Sequence, residues 1–150
     1  MFGYCVWYAL YHDHPVNLLV RHLAVQFGTG MFYAHIAMEK KIPLQEARVA
    51  FGHHQQIPIP WFKMTGDICQ TTVGRFYALE QHCDMYNVKR LGSFHVSLAY
   101  RLDQPFTKEE INTVRLLVPT DMIHSADLYL ALMDCTSRSP KYWKYLERSC

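Results

Sequence analysis

The sequence predicts an α+β domain built from two similar lobes, and three observations carry that prediction. The expected elements run strand, helix, histidine-bearing strand, then a variable middle section, then histidine-bearing strand, helix, strand. No low-complexity linker separates the two halves. Half of the 150 residues are apolar or aromatic, enough for a substantial core in one compact unit spanning residues 1–150.

Phe2 to Tyr11 is rich in aromatic and β-branched residues and reads as a largely buried strand, turned by His12-Asp13-His14-Pro15. Val16, Leu19, Val20, Leu23, Ala24 and Phe27 recur at helical spacing, with Pro15 in the first turn and Gly28 and Gly30 as the stop. The next strand, about Met31 to Glu39, carries His35. Pro43 opens a short helix through Phe51, which Gly52-His53-His54 breaks before the extended Ile57-Pro58-Ile59-Pro60 segment. Trp61–Thr65 and Val73–His82 read as strands on either side of a Gly66-Asp67 turn and a polar link. Val88–Leu91 leads through Gly92 to the strand Phe94–Leu102 bearing His95. Thr107-Lys108-Glu109-Glu110 is a capping box, so a helix runs from there to about Val118, stopped by Pro119. Ala126–Asp134 is the last expected strand, followed by an aromatic tail around Tyr142-Trp143-Lys144-Tyr145.

Composition narrows the function classes. A formal net charge of +2 does not advertise a long polynucleotide groove, yet it does not oppose a small anionic ligand held locally. Five scattered cysteines without a CxxC pair fit reduced thiols. No apolar run reaches the length of a membrane span, and the first residues have neither a basic leader nor a cleavage site; the expectation is a soluble, cytoplasmic protein with no membrane partner. The sequence does not set the oligomeric state.

The chemistry concentrates in two short stretches, His35-Ile36-Ala37-Met38 and His95-Val96-Ser97-Leu98. In a strand, alternation puts His35 with Ala37, and His95 with Ser97, on one face, with the apolar residues packed behind. Two imidazoles meeting in one cleft can act as base and acid near neutral pH. A histidine in an apolar strand is more often a hydrogen-bonded core residue, but matching contexts at opposite ends of the layout shift the balance toward catalysis. His12-Asp13-His14 and His53-His54 lack a cysteine or carboxylate cluster at ligand spacing and read as polar turns, so no metal site is assigned.

A histidine, an apolar residue, a hydroxyl residue and another apolar residue, occurring twice in a small α+β protein, resembles the two-histidine phosphoesterase superfamily, also called LigT-like. His95-Val96-Ser97-Leu98 with the Pro105–Glu110 helix entry is the fuller match; the first motif has Ala37 where the family usually has a hydroxyl. The resemblance implies a bilobal fold in which two antiparallel-rich sheets with flanking helices line a central cleft. It also implies a phosphodiesterase without metal or cofactor, acting on a cyclic or 2′-5′-linked nucleotide, similar to small viral members that degrade nucleotide immune signals. His35 and His95 would then be catalytic, and Ser97 would donate to a phosphate oxygen where charge accumulates. Ala37 cannot do so: either a backbone amide, a water or a hydroxyl from elsewhere, with Tyr33 the candidate, replaces it, or the enzyme is slow, or the protein was inactivated to trap a complex. Tyr4 and Trp61 are the candidate base-stacking residues, and Lys40, Lys41, Arg75 and Arg101 are candidate counter-charges to phosphate. The alternatives are a nucleotide-binding sponge of the same fold and an enzyme that processes 2′,3′-cyclic phosphate RNA ends.

Overall fold

The computed structural model describes residues 3–86 and 94–149. It is an α+β fold with one antiparallel sheet and three α-helices: β1 (Gly3–Leu10), α1 (Pro15–Phe27), β2 (His35–Ile42), α2 (Leu44–Gln55), β3 (Phe62–Val73), β4 (Phe76–Met85), β5 (Phe94–Leu102), α3 (Lys108–Leu117), β6 (Met122–Ile123), β7 (Leu128–Cys135) and β8 (Lys144–Arg148). The strand order is β6-β3-β4-β5-β2-β1-β7-β8. Where two sheets were expected there is one, joined at its middle between β5 and β2 by a single registered pair, Ile36 with Val96. Four strands lie on either side of that junction.

All three helices cover one face. Val16, Leu19, Val20 and Leu23 of α1, Ala47 and Phe51 of α2 and Val114 of α3 join a single core with Val6, Tyr8 and Leu10 of β1. The opposite face carries a smaller cluster built on Cys5, Trp7, Ala9, Ala131 and Met133. The period of two along β1 thus supplies both faces with apolar side chains.

Local chemistry sets the ends. Helix α1 starts with His14 as cap, its Nδ1 accepting from the Val16 N–H at 3.1 Å, and ends on Gly28 in the left-handed region at φ 65°. The expected capping box at α3 forms, with Thr107 accepting from the Glu110 N–H and Glu110 accepting from the Thr107 N–H. Arg101 then holds Glu110 through two hydrogen bonds of 2.8 and 2.5 Å, so it serves the helix and not the cavity. Buried Asn17 donates to the Leu10 and Tyr11 carbonyls and accepts from the Ala34 N–H at 2.7 Å, which fixes the entry to β2 just before His35.

Four expectations change. Helix α2 continues through Gly52 to Gln55, because an isolated glycine costs a helix only about 1 kcal/mol and does not stop it; His53 and His54 are therefore helical. Phe62–Val73 is one strand: Gly66-Asp67 is absorbed as a bulge, four steps along β3 from Met64 to Ile68 facing two along β4. The true turn is at Gly74, φ 60°. Residues of the aromatic tail form β8 on the sheet edge. The Val88–Leu91 lead-in lies outside the described residues. Among the described residues no disulfide forms, and no helix is long and apolar enough to cross a membrane.

Candidate active site

The site lies at the β5–β2 junction, on the face without helices. Continuing the antiparallel ladder one step either way from Ile36 and Val96 sets His35 opposite Ser97 and Ala37 opposite His95. The two imidazoles then occupy a diagonal, about 7–8 Å apart between Cα atoms in a regular ladder. Both line one cavity of about 230 Å³, together with Ala37 and Ser97.

Bulges decide what else reaches it. On β2, Trp7 pairs with Ala37 but Val6 pairs with Glu39, leaving Met38 as an extra residue that packs toward the helix side. Plain alternation would put Glu39 in the cavity; the extra residue turns Glu39 to the helix side, beside α2, and puts Lys40 in the cavity instead. A second irregularity follows at Lys41, φ 59°, whose backbone approaches Gly3 so closely that a β-carbon there would lie 3.0 Å from the Lys41 Cα. On β5 the same device recurs: Ser97 pairs with Glu80 and Ala99 with Leu79, so Leu98 is the extra residue and Tyr100 comes round to the cavity. The bulge falls on the fourth residue of both histidine motifs.

The two rings have different surroundings. His35 is buried, and its Nδ1 donates to the Tyr33 carbonyl at 2.8 Å, which leaves Nε2 as the acceptor nitrogen. The Trp7 indole stacks on it with centroids 3.3 Å apart, and Trp143 meets it edge-on. Burial pushes the His35 pKa down to about 4, the Tyr33 carbonyl opposes this, and the charge of His95 adds to the lowering. His95 is part-exposed and its Nε2 lies 2.7 Å from the Glu80 carboxylate. Burial pushes Glu80 up, but hydrogen bonds and charge from His95, with Thr71 and Lys40, outweigh it and hold the carboxyl below its ordinary value. Buried Tyr100, its phenol pushed up by burial, donates to the Ser97 Oγ at 3.0 Å, so the Ser97 hydroxyl keeps its own proton for a ligand.

The cavity thus brings together His35, Ala37, His95, Ser97, Lys40 and Lys41. Five expected residues are elsewhere, Arg101 on Glu110 among them. Tyr4 packs into the helix-side core, because its parity on β1 is opposite to that of Trp7. Trp61 precedes β3, with its ring edge-on to His124; Thr71 on the cavity wall lies ten residues further along, roughly 30 Å of strand. Tyr33 turns its ring outward, 52 % exposed, and serves through its backbone carbonyl. Arg75 is paired with Asp103. Sequence reasoning missed Glu80, Tyr100 as donor, Thr71 and Trp7; only Trp7 had a usable signal, its odd place on β1.

Comparison with protein-family models, curated proteins and solved structures gave no match. The functional reading therefore rests on the cavity.

Proposed function

We propose that the chain is a two-histidine phosphodiesterase that cleaves a cyclic or 2′-5′-linked nucleotide of the signalling kind, its two four-stranded halves corresponding to the two lobes of that class. The observation that carries the proposal is the diagonal pair of imidazoles in one cavity, each facing the small residue of the other's motif. Neutral His35 takes a proton at Nε2 from the attacking oxygen, a water or a ribose hydroxyl. His95 gives a proton to the departing oxygen on the far side of phosphorus, while Glu80 remains on its Nε2 and stabilises the charged ring, as a carboxylate does for a catalytic histidine. Ser97 donates to a non-bridging oxygen, and Lys40 and Lys41 offset phosphate charge.

A second reading has a specific observation behind it. Ala37 offers no hydroxyl to a phosphate oxygen, which suits a protein that holds a nucleotide without turning it over. Incubating the protein in EDTA with cyclic dinucleotides, 2′-5′ oligoadenylate and RNA ending in a 2′,3′-cyclic phosphate separates the readings. Product from one of the first two, lost in His35→Ala and His95→Ala, is the expected result. Tight binding with unchanged ligand would establish the sponge, and cleavage confined to RNA ends would establish end processing.

A further inference from the structure

Gly74, at the turn between β3 and β4, borders two spaces at once. On one side it closes the histidine cavity; on the other it opens a groove of about 580 Å³ that runs to the turn Pro140–Tyr142. A smaller recess shares Phe76, Leu102, Ser139 and Lys141 with that groove and Tyr100 with the histidine cavity. The histidine cavity alone, about 230 Å³, falls below the roughly 300–1,000 Å³ of ordinary ligand sites, whereas the groove lies within that range. A nucleotide reacting at the histidines must extend out of their cavity.

The groove suits what would extend into it. Arg75, Arg138 and Lys141 line it and, among the described residues, no acidic side chain does; Arg75 is engaged by Asp103 beside it, and Arg138 has an interaction of its own. The Lys141 ammonium sits 5.0 Å from the centre of the Tyr142 ring, and that ring is 63 % exposed. Leu102, half exposed, continues the apolar surface.

We propose that this groove is a subsite for a second nucleotide, so that the ligand of the histidine cavity is an oligonucleotide with at least two phosphates and not a mononucleotide; this rests on the phosphodiesterase reading above. The second phosphate draws Lys141 off the Tyr142 ring, and the ring, so uncovered, stacks the adjacent base.

The test uses two probes, 2′-5′-linked diadenosine with one phosphate and triadenosine with two. Their binding to His95→Ala protein is measured by calorimetry in EDTA at several salt concentrations, and their cleavage by the wild-type protein is followed in parallel. The two-phosphate probe should bind on the order of ten-fold tighter. Lys141→Ala with Tyr142→Ala should erase that advantage without changing the one-phosphate affinity. Lys141→Ala alone should lower the salt slope of the longer probe by about 0.7. Equal affinities, or a length advantage that survives both substitutions, would overturn the proposal. Cleavage of both probes without groove dependence removes the subsite and leaves the phosphodiesterase. Groove-dependent binding without cleavage does the reverse, and failure of both probes to bind or react removes both.

Discussion

The two histidine motifs sit in the same geometry and in opposite chemistry. Each has a bulge on its fourth residue, Met38 or Leu98, and each faces the small residue of the other across the sheet junction. Yet His35 is buried, stacked under Trp7 and tied to a backbone carbonyl, whereas His95 is part-exposed and bound to a carboxylate. Equivalent scaffolds thus produce a ring that burial keeps neutral and a ring paired with a carboxylate. The residues three places after each histidine's small neighbour differ too, Lys40 in one half and Tyr100 in the other. Cross-strand neighbours cause this division: Trp7 has alanine opposite it on both sides, Ala37 and Ala131, which leaves room for the indole beside His35.

The largest effect expected from breaking the pair is loss of either ring. His35→Ala and His95→Ala should each lower kcat by about 10²–10⁴-fold with the fold intact by circular dichroism. Ser97→Ala should cost about 10²–10³-fold, as removal of one transition-state donor does, whereas Ala37→Ser should change the rate less than ten-fold. Single-turnover cleavage assays check both.

The bulges can be tested by charge. Lys40→Glu should raise KM at least ten-fold by placing an acid in the cavity, while Glu39→Lys, one residue away on the helix side, should leave it unchanged. Equal effects at the two positions would contradict the register.

The pH dependence follows from His35. A base must be neutral, so the acid limb of kcat/KM should fall near pH 4. Trp7→Leu lets water reach the ring, and the limb should move up toward the ordinary 6.5. Stability has a matching sign. Below about pH 6.5 the unfolded chain binds a proton that the folded ring refuses, so stability falls as pH drops from about 6.5 to about 4, by up to about 3 kcal/mol. Denaturant titrations should show that this slope is smaller by His35's share in His35→Gln.

How much of this a reader of the sequence could see depends on alternation. The two histidines, Ala37 and Ser97 were legible because each motif keeps a period of two up to its third residue. Beyond it the bulges reset the parity, which no local pattern announces, so Lys40 could be named only as one of four loose cations and Tyr100 only as one aromatic among many. Glu80 was invisible because its role comes from pairing with Ser97 across strands 17 residues apart in sequence. Tyr4 was assigned to the cleft although it shares parity with Val6 and Tyr8, which the helices cover. Helix α3 was legible through its capping box and the start of α1 through Pro15 in its first turn, since those signals are local, whereas the His14 cap was not legible. The joining of both halves in one sheet hangs on a single pair, Ile36 with Val96, and has no sequence signature.

The smallest effect is expected at Gly3. Gly3→Ala sets a methyl against the Lys41 backbone and should cost about 1–3 kcal/mol of stability, with a modest rise in KM as the Lys40-Lys41 bulge shifts.

The most direct measurement of the central claim is nitrogen-15 NMR of the imidazole rings, titrated with inorganic phosphate at pH 7. Before phosphate, His35 should be neutral with its proton on Nδ1, and phosphate should shift the ring signals of His35 and His95 together with one common affinity. A protonated His35, or a phosphate that perturbs only one ring, would contradict the account.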